Sequence, residues 1–206
     1  NSNPATIMTD TVIADKVYEL ITGIPGDFSG RIAYIEEIGT GKEKISRLKV
    51  MDADGENAKT ITEVAGSIFS PTWSPDGNRI AYSVQRDKSY PVIYVQSVSG
   101  GGATPLTPFP GSNLSPSFSP DGSKILFSSS FEGSADIYEM SASGGTPRRI
   151  TNWPSSEVQP NYAPDGKSFV FVSDRAGFNK PRIYRYEFGS GRTTQVSSSG
   201  YATLLL

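Results

Sequence analysis

Short runs of apolar and polar residues follow one another along most of this chain, with turn residues between them. In the segment after Gly77, such runs occupy residues 79–84, 92–98 and 103–107, and Gly100, Gly101 and Gly102 separate the last two. Runs rich in Val, Ile, Tyr and Phe that are bounded by Gly, Pro, Asn and Asp predict β-strands. The pattern therefore predicts an all-β protein built from short strands and tight turns.

The strand pattern recurs with a nearly constant period. The phrase Ser-Pro-Asp-Gly begins at Ser74 and at Ser119, and Ala-Pro-Asp-Gly begins at Ala163, which gives steps of 45 and 44 residues. Four strands in each period of this length are typical of a β-propeller blade. A β-sandwich with similar hairpins is the alternative, but a phrase that occurs three times favours the propeller.

The repeat also predicts how the chain is divided. Complete blades are expected at 67–111, 112–155 and 156–199. Residues 28–66 match the second to fourth strands of a blade but have no aromatic-Pro-Asp-Gly phrase, so this first blade should lack its inner strand. Residues 200–206 read as the stub of a fifth blade. Because propellers close with about 4–8 blades, we expect residues 28–206 to be an incomplete propeller.

A helical pattern precedes the repeat. Ile13, Val17 and Leu20 fall on one face of a helix predicted over 10–22. Asp10 suits the N-cap, and Gly23 suits the C-terminal stop. A helix this short needs a surface to pack on. We therefore interpret residues 1–27 as the C-terminal helix of a preceding domain.

Composition disfavours several kinds of site. The 206 residues include no His and no Cys, and the net charge is −2 without a Lys/Arg-rich run. A Ser-His-Asp or Cys-His site cannot be built from these residues, and a zinc site is disfavoured. The charge argues against nucleic acid as a partner. No apolar stretch reaches the roughly 20 residues that a transmembrane helix needs.

The regularly spaced aspartates could suggest acid–base chemistry. Asp76, Asp121 and Asp165 each stand between Pro and Gly, where Asp stabilises a turn by bonding to its own backbone. We interpret them as turn formers, and the segment 52–55 as a β-turn rather than a calcium loop, since the distant Glu of such a loop is missing. We expect no catalytic residue, no cofactor and no metal, and hence a binding protein rather than an enzyme.

The Ser-Pro-Asp-Gly repeat resembles the propeller of the TolB family. It also resembles the propellers of prolyl-oligopeptidase-like and tricorn-like peptidases, so other segments are more specific. Residues 14–23 (ADKVYELITG), 31–34 (RIAY), 48–55 (LKVMDADG) and 173–177 (SDRAG) resemble TolB, and the resemblance extends over about residues 10–203.

The resemblance implies a propeller of about six blades that follows an α/β domain, so that residues 1–27 would be the remnant of that domain. It implies a non-enzymatic periplasmic protein of the Tol-Pal system, which maintains outer-membrane integrity and constriction during cell division. The propeller would dock the peptidoglycan-associated lipoprotein Pal, and the N-terminal domain would engage TolA. The alternative is a propeller that gates substrate access to a peptidase; a third possibility is a ligand-binding propeller with aromatic residues at its mouth.

The resemblance further implies which end of the propeller binds the partner. Loops from the fourth strand to the next first strand, and from the second strand to the third, share one face of a propeller, and binding residues concentrate in loops. Positions just before Pro116 and Pro160 would line the mouth that faces Pal. The predicted partner-binding residues are Ser112, Asn113, Ser115, Glu157, Val158, Gln159 and Arg175. For Arg175, a local ion pair with Asp174 is the alternative interpretation.

Overall fold

The computed structural model describes residues 4–177 and 180–198, with only the helical backbone for residues 4–11. Within these residues the chain forms one α-helix, one 3-10 turn (Gly41–Glu43) and fifteen strands. The elements are α1 (Pro4–Thr22), β1 (Arg31–Ile38), β2 (Ile45–Asp52), β3 (Lys59–Ala65), β4 (Ser67–Trp73), β5 (Arg79–Gln85), β6 (Val92–Ser97), β7 (Thr104–Pro105), β8 (Asn113–Phe118), β9 (Lys124–Ser129), β10 (Asp136–Ser141), β11 (Arg148–Arg149), β12 (Glu157–Tyr162), β13 (Ser168–Ser173), β14 (Arg182–Glu187) and β15 (Thr193–Gln195). The predicted stub at 200–206 lies outside the described residues.

The strands form four sheets in chain order. The first blade is the three-stranded sheet β1-β2-β3, and the second (β4–β7), third (β8–β11) and fourth (β12–β15) blades each have four strands. In these three blades each strand pairs antiparallel with the next one along the chain. This architecture confirms the predicted β-propeller fold class. In the described part of the chain, the first blade has three strands, as predicted from the absence of a Pro-Asp-Gly phrase in its sequence.

The chain divides into two compact units. One unit contains the described part of residues 1–36 together with Arg47–Glu63, and the other contains Glu37–Ser46 and the described residues from Val64 onward. The second, third and fourth blades lie wholly in the latter unit. The candidate functional residues all belong to these three blades.

Helix α1 begins earlier than its sequence pattern indicates. It starts at Pro4, so the predicted N-cap at Asp10 is wrong. Proline is favoured in the first turn of a helix because its missing N–H would be unpaired there anyway, and no helix breaker lies between it and Asp10. The predicted stop is confirmed, since Gly23 has φ +72° and its amide donates to the carbonyl oxygen of Glu19 at 2.8 Å.

The core of the second unit lies between consecutive blades. One buried cluster joins the second blade to the third and includes Ile93, Phe118 and Phe127. Another joins the third blade to the fourth and includes Leu126 and Phe169. Each blade thus buries the faces of its sheet against its neighbours, which keeps the ends of the strands at the surface.

The inner strand of each complete blade contains a β-bulge. The pairing shifts between Phe69 and Thr72, between Leu114 and Ser117, and between Val158 and Asn161. The residue before the bulge proline lies in the left-handed region each time, and these residues are Ser70 (φ +48°), Ser115 (φ +53°) and Gln159 (φ +52°). A non-glycine residue rarely adopts this region, so its recurrence makes the bulge a regular feature of the blade.

The Pro-Asp-Gly turns have the hydrogen bonds of turn formers. The Ser119 hydroxyl donates to Asp121 at 2.6 Å, and the Ser123 amide donates to the same carboxylate oxygen at 3.0 Å. These bonds favour the charged carboxylate and lower the pKa of Asp121 to about 2. The glycine takes positive φ in each turn, as at Gly122 (+69°). The structure confirms that these aspartates build turns.

Candidate functional site

The ends of the strands opposite the Pro-Asp-Gly turns form one continuous edge in the second unit. We call it the loop face, and it comprises the connections at residues 86–91, 106–112, 130–135, 150–156 and 174–181 apart from 178–179. Backbone hydrogen bonds join consecutive blades there: Asn113 N donates to Pro91 O at 3.1 Å, and Glu157 N donates to Ala135 O at 2.7 Å. The edge with the Pro-Asp-Gly turns is called the turn face below.

Several predicted site residues belong to strands rather than to loops. Asn113 and Ser115 lie on β8, and Glu157, Val158 and Gln159 lie on β12. The sequence pattern does not indicate these strand residues, because the bulge and its proline interrupt the alternation of apolar and polar residues. Their position at the start of an inner strand still places them beside the loop face.

In the third blade, Asn113 holds the loop face together from inside. It is fully buried; its Nδ2 donates to Gly111 O at 2.8 Å and to Pro91 O at 3.2 Å, and its Oδ1 accepts from the Ser129 hydroxyl at 2.8 Å. Ser112 is half-buried, and its amide donates to the Ser130 hydroxyl at 2.9 Å. Asn113 therefore positions the loops, whereas Ser112 remains partly accessible to a partner.

In the fourth blade, Glu157 occupies the position of Asn113. It is fully buried, and its carboxylate accepts a hydrogen bond from the hydroxyls of Ser155 and Ser173. Its Oε2 lies 2.7 Å from Nη2 of Arg175. Arg175 therefore pairs with Glu157 rather than with Asp174. These partners explain how the carboxylate can be buried, since a buried charge is tolerated only when it is paired and hydrogen-bonded.

Arg175 is held among aromatic rings as well. Its guanidinium carbon lies 3.8 Å from the ring centroid of Trp153, 4.5 Å from that of Tyr184 and 5.4 Å from that of Phe171. A guanidinium stacks well on aromatic faces because it is planar and weakly hydrated. The side chain keeps 21% of its surface exposed. The fourth blade thus presents a rigid cation at the loop face.

The third blade presents aromatic rings at the equivalent place. Phe109 stands one period before Trp153 in the sequence, and its ring centroid lies 5.4 Å from that of Phe131 and 6.3 Å from that of Phe127. Phe131, one period before Arg175, is 42% exposed. In the second blade Tyr90 is exposed at the same face. The loop face therefore offers aromatic surface in the second and third blades beside the stacked cation of the fourth.

The remaining predicted residues lie around the bulges. Val158 and Gln159 are half-buried, whereas Ser115 retains 7% of its accessible surface. The structure thus brings Ser112, Val158, Gln159 and Arg175 to partly accessible positions and places Asn113, Ser115 and Glu157 in the interior.

A second buried carboxylate lies near the loop face in the third blade. Asp136 is fully buried and accepts hydrogen bonds from the Thr151 hydroxyl at 2.8 Å and from Arg149. The bond to Asp136 raises the pKa of Arg149, and Arg149 also reaches Glu132 at 2.9 Å. Buried beside these carboxylates, the Tyr138 hydroxyl has its pKa raised to about 12. The charges in this part of the loop face are therefore paired and fixed.

Among the described residues, no three acidic side chains lie close enough together to hold a metal ion. The segment that begins at Asp52 forms a turn, with Gly55 N donating to Asp52 O at 2.9 Å, as the sequence predicts. No helix in the described part of the chain is long and apolar enough to cross a membrane. What the loop face can do chemically is contact another surface through stacked rings and one held guanidinium.

Sequence reasoning missed Trp153, Phe109 and the Glu157–Arg175 pair. The repeat contains a signal for the two rings, because both stand before a proline at matching places in consecutive periods (Phe109-Pro110 and Trp153-Pro154). The ion pair has no such signal. It depends on the register that sets Glu157 opposite Ser173, which brings together residues 18 positions apart.

Comparison with known proteins places this fold in a family. Residues 18–204 match the model of the family described as TolB beta propeller domain. The Tol-Pal system protein TolB of Hahella chejuensis is 49% identical over 86 residues, which cover 42% of this chain and 20% of that protein. The crystal structure of TolB from Acinetobacter baumannii is similar with a TM-score of 0.81 and 41% identity, over 94% of this chain and 48% of that one. The chain thus spans about half of that TolB structure.

Peptidase propellers resemble the chain in fold alone. A prolyl endopeptidase structure has a TM-score of 0.62 at 14% identity and covers 97% of this chain and 36% of its own.

Proposed function

The chain belongs to the TolB β-propeller family, and we propose that it acts by binding rather than by catalysis, docking the lipoprotein Pal through its loop face. Its setting would be the periplasm and the Tol-Pal system, with a role in outer-membrane integrity and in constriction during cell division. Engagement of TolA would fall to the α/β domain that precedes the propeller in this family.

The names of the curated relatives support the proposed role in the Tol-Pal system. The curated proteins at 48–49% identity in Hahella chejuensis and Nitrosomonas europaea are each named Tol-Pal system protein TolB. The likeness to the prolyl endopeptidase, at 14% identity, concerns the fold only. No observation on the described residues favours the peptidase alternative over the binding function.

The observation that carries the docking proposal is the guanidinium of Arg175, stacked 3.8 Å from the Trp153 ring centroid and tied to the buried Glu157. Residues that dominate binding energy at protein interfaces are most often Trp, Tyr and Arg, held rigidly in well-packed surroundings. Phe131 adds exposed aromatic surface in the neighbouring blade. A cation and rings that are already ordered lose little conformational entropy on binding, which favours affinity.

Calorimetric titration with purified, lipid-free Pal tests the function. Phe131 is 42% exposed, so Phe131→Ala should fold normally and weaken binding by about tenfold or more if the ring belongs to the interface. Arg175→Lys keeps the charge but loses the planar stacking group, and it should weaken binding as well.

The matched control is Lys167→Ala on the turn face, an exposed residue whose removal should leave the affinity unchanged. If the two loop-face variants bind Pal as tightly as the unmodified chain, the loop face is not the docking surface. If the unmodified chain does not bind Pal at all, the proposed partner is wrong for this chain.

A further inference from the structure

The turn face contains a cleft between the third and fourth blades that docking through the loop face leaves unused. The cleft has a volume of about 420 Å³, and side chains of both blades line it. Glu139 lies at its base with 7% of its surface exposed. Its carboxylate accepts from the Tyr162 hydroxyl at 2.8 Å, from Arg148 at 2.9 Å and from Lys124 at 3.3 Å.

Between the second and third blades, an arginine of the chain itself fills the equivalent place. Arg79 is the first residue of β5, and its guanidinium lies over the Phe118 ring, 5.4 Å from the centroid. Its Nη2 donates to the carbonyl oxygen of Gly122, in the Pro-Asp-Gly turn of the next blade, at 3.0 Å. Lys124 begins β9 as Arg79 begins β5, and Tyr162 precedes its turn as Phe118 does.

The third strand explains why the two places differ. Val95, opposite Ala81 in the second blade, offers no acceptor. The corresponding residue of the third blade is Glu139, opposite Leu126, and it draws the Lys124 ammonium toward itself. A lysine also lacks the planar group that stacks on a ring. At the first position of β9 the third blade therefore has a lysine in place of Arg79, while its own guanidinium in the cleft, that of Arg148 on β11, is bound to Glu139.

We propose that the cleft between the third and fourth blades binds a guanidinium group, either of an arginine side chain on a partner protein or of free arginine, in the manner of Arg79 one blade earlier. The group stacks on the Tyr162 ring and donates to the carbonyl oxygen of Gly166, which holds the place of Gly122 in its turn. It also faces the carboxylate of Asp165 in the cleft wall.

The charges of the cleft suit such a ligand. Three carboxylates line it, those of Asp121, Glu139 and Asp165, against the two cations of Lys124 and Arg148. One negative charge is therefore left over. Both cations are more than half exposed, so they can move aside at the mouth of the cleft while Glu139 stays in the interior.

Titration of the ¹⁵N-labelled chain, followed by NMR, tests the site. The probes are a blocked Gly-Arg-Gly peptide, free arginine, and the matching citrulline and lysine peptides. Citrulline has the shape of arginine without its charge. We expect saturable shifts at Gly166 and Tyr162 with both arginine probes, much weaker shifts with the lysine peptide and none with citrulline. Tighter binding of the blocked peptide would indicate a partner's side chain, and tighter binding of free arginine would indicate the amino acid.

Two variants test the pose. Lys124→Arg places a guanidinium of the third blade itself within reach of the Tyr162 ring, where it would compete with the ligand. We expect it to weaken peptide binding by about tenfold or more. Asp165→Asn keeps a side-chain oxygen that accepts the turn hydrogen bond from the Lys167 amide but removes the charge, and it should weaken binding without unfolding the blade. Lys167→Arg, an exposed lysine of the same turn, is the control and should bind normally.

The outcome that would overturn the proposal is the absence of arginine-dependent shifts at Gly166 and Tyr162 in the unmodified chain. Equal shifts from citrulline and arginine would overturn it as well, as would unchanged affinity in Lys124→Arg and Asp165→Asn. These results are independent of Pal binding, because the probes and the variants concern the opposite face.

Discussion

Arg175→Met should leave Glu157 buried without its cation. Removing one partner of a buried ion pair costs about 3–5 kcal/mol, and loss of the stacked guanidinium adds about 0.5–1 kcal/mol. Two hydroxyl donors to Glu157 remain, from Ser155 and Ser173. Arg175 is 21% exposed, so the pair is only partly shielded from water. We therefore expect the free energy of unfolding to fall by about 3.5 kcal/mol, at the lower end of the combined range.

The cause can be tested by a second substitution. Glu157→Gln is nearly isosteric and keeps an acceptor for the two hydroxyls, so it should cost only about 1–2 kcal/mol. In Glu157→Gln/Arg175→Met no uncompensated charge is buried. We therefore expect the double variant to be more stable than Arg175→Met alone, with a coupling of about 2 kcal/mol between the two sites.

Urea unfolding of the chain, followed by tryptophan fluorescence, measures these free energies, and Trp153 reports from beside the substituted residue. Arg192→Met is the matched control, since Arg192 is an exposed arginine in the fourth blade and its loss should change stability by less than about 0.5 kcal/mol. Simple additivity of the two single costs would refute the reasoning, because Arg175 would then stabilise the blade through the rings and not through Glu157.

Three further predictions concern the turn face. Gly122 has φ +69°, so Gly122→Ala should lower the free energy of unfolding by about 1–2 kcal/mol, whereas Gly189→Ala, where a Cβ meets open space, should not; equal thermal midpoints would contradict this. The folded pKa of Asp121 is about 2 against an ordinary 3.8, so its contribution to the stability of the folded chain is full above pH 4 and is lost as pH falls toward 2. The difference in urea midpoint between the unmodified chain and Asp121→Asn should narrow over that interval, and a constant difference would contradict this prediction. Tyr162→Phe removes a hydroxyl bonded to a buried carboxylate and should cost about 1.5–3 kcal/mol in urea unfolding, whereas Tyr90→Phe, at an exposed site, should cost nothing measurable.

Most of the fold could be predicted because the repeat carries local chemistry. Pro, Asp and Gly build the same turn at each occurrence, and the strands beside it have regular alternation. The inner strands begin earlier than their sequence pattern indicates, because the Ser115-Pro116 step that forms the bulge of β8 has the sequence of a loop. The predicted N-cap at Asp10 is wrong for a similar local reason, because an aspartate inside a helix cannot be told from an N-cap aspartate by its sequence alone.

The candidate site was predictable only in outline. The repeat indicates which strand ends meet at the loop face, and the resemblance points to Arg175 and to the positions before Pro116 and Pro160. For Arg175 the sequence leaves open an ion pair with the nearby Asp174, whereas the pairing of β12 with β13 brings Glu157 to it instead. Burial of Asn113 and Glu157 depends on the packing of loops from two blades, which no single period of the sequence shows.

Mapping the surface that changes when Pal binds tests the central claim most directly. With the ¹⁵N-labelled chain and unlabelled Pal, we expect NMR shifts and lost intensity concentrated at the loop face, around Phe131, Trp153 and Arg175, and no change at the Pro-Asp-Gly turns near Gly122 and Gly166. Changes confined to the turn face, or no saturable change at any Pal concentration, would contradict the account.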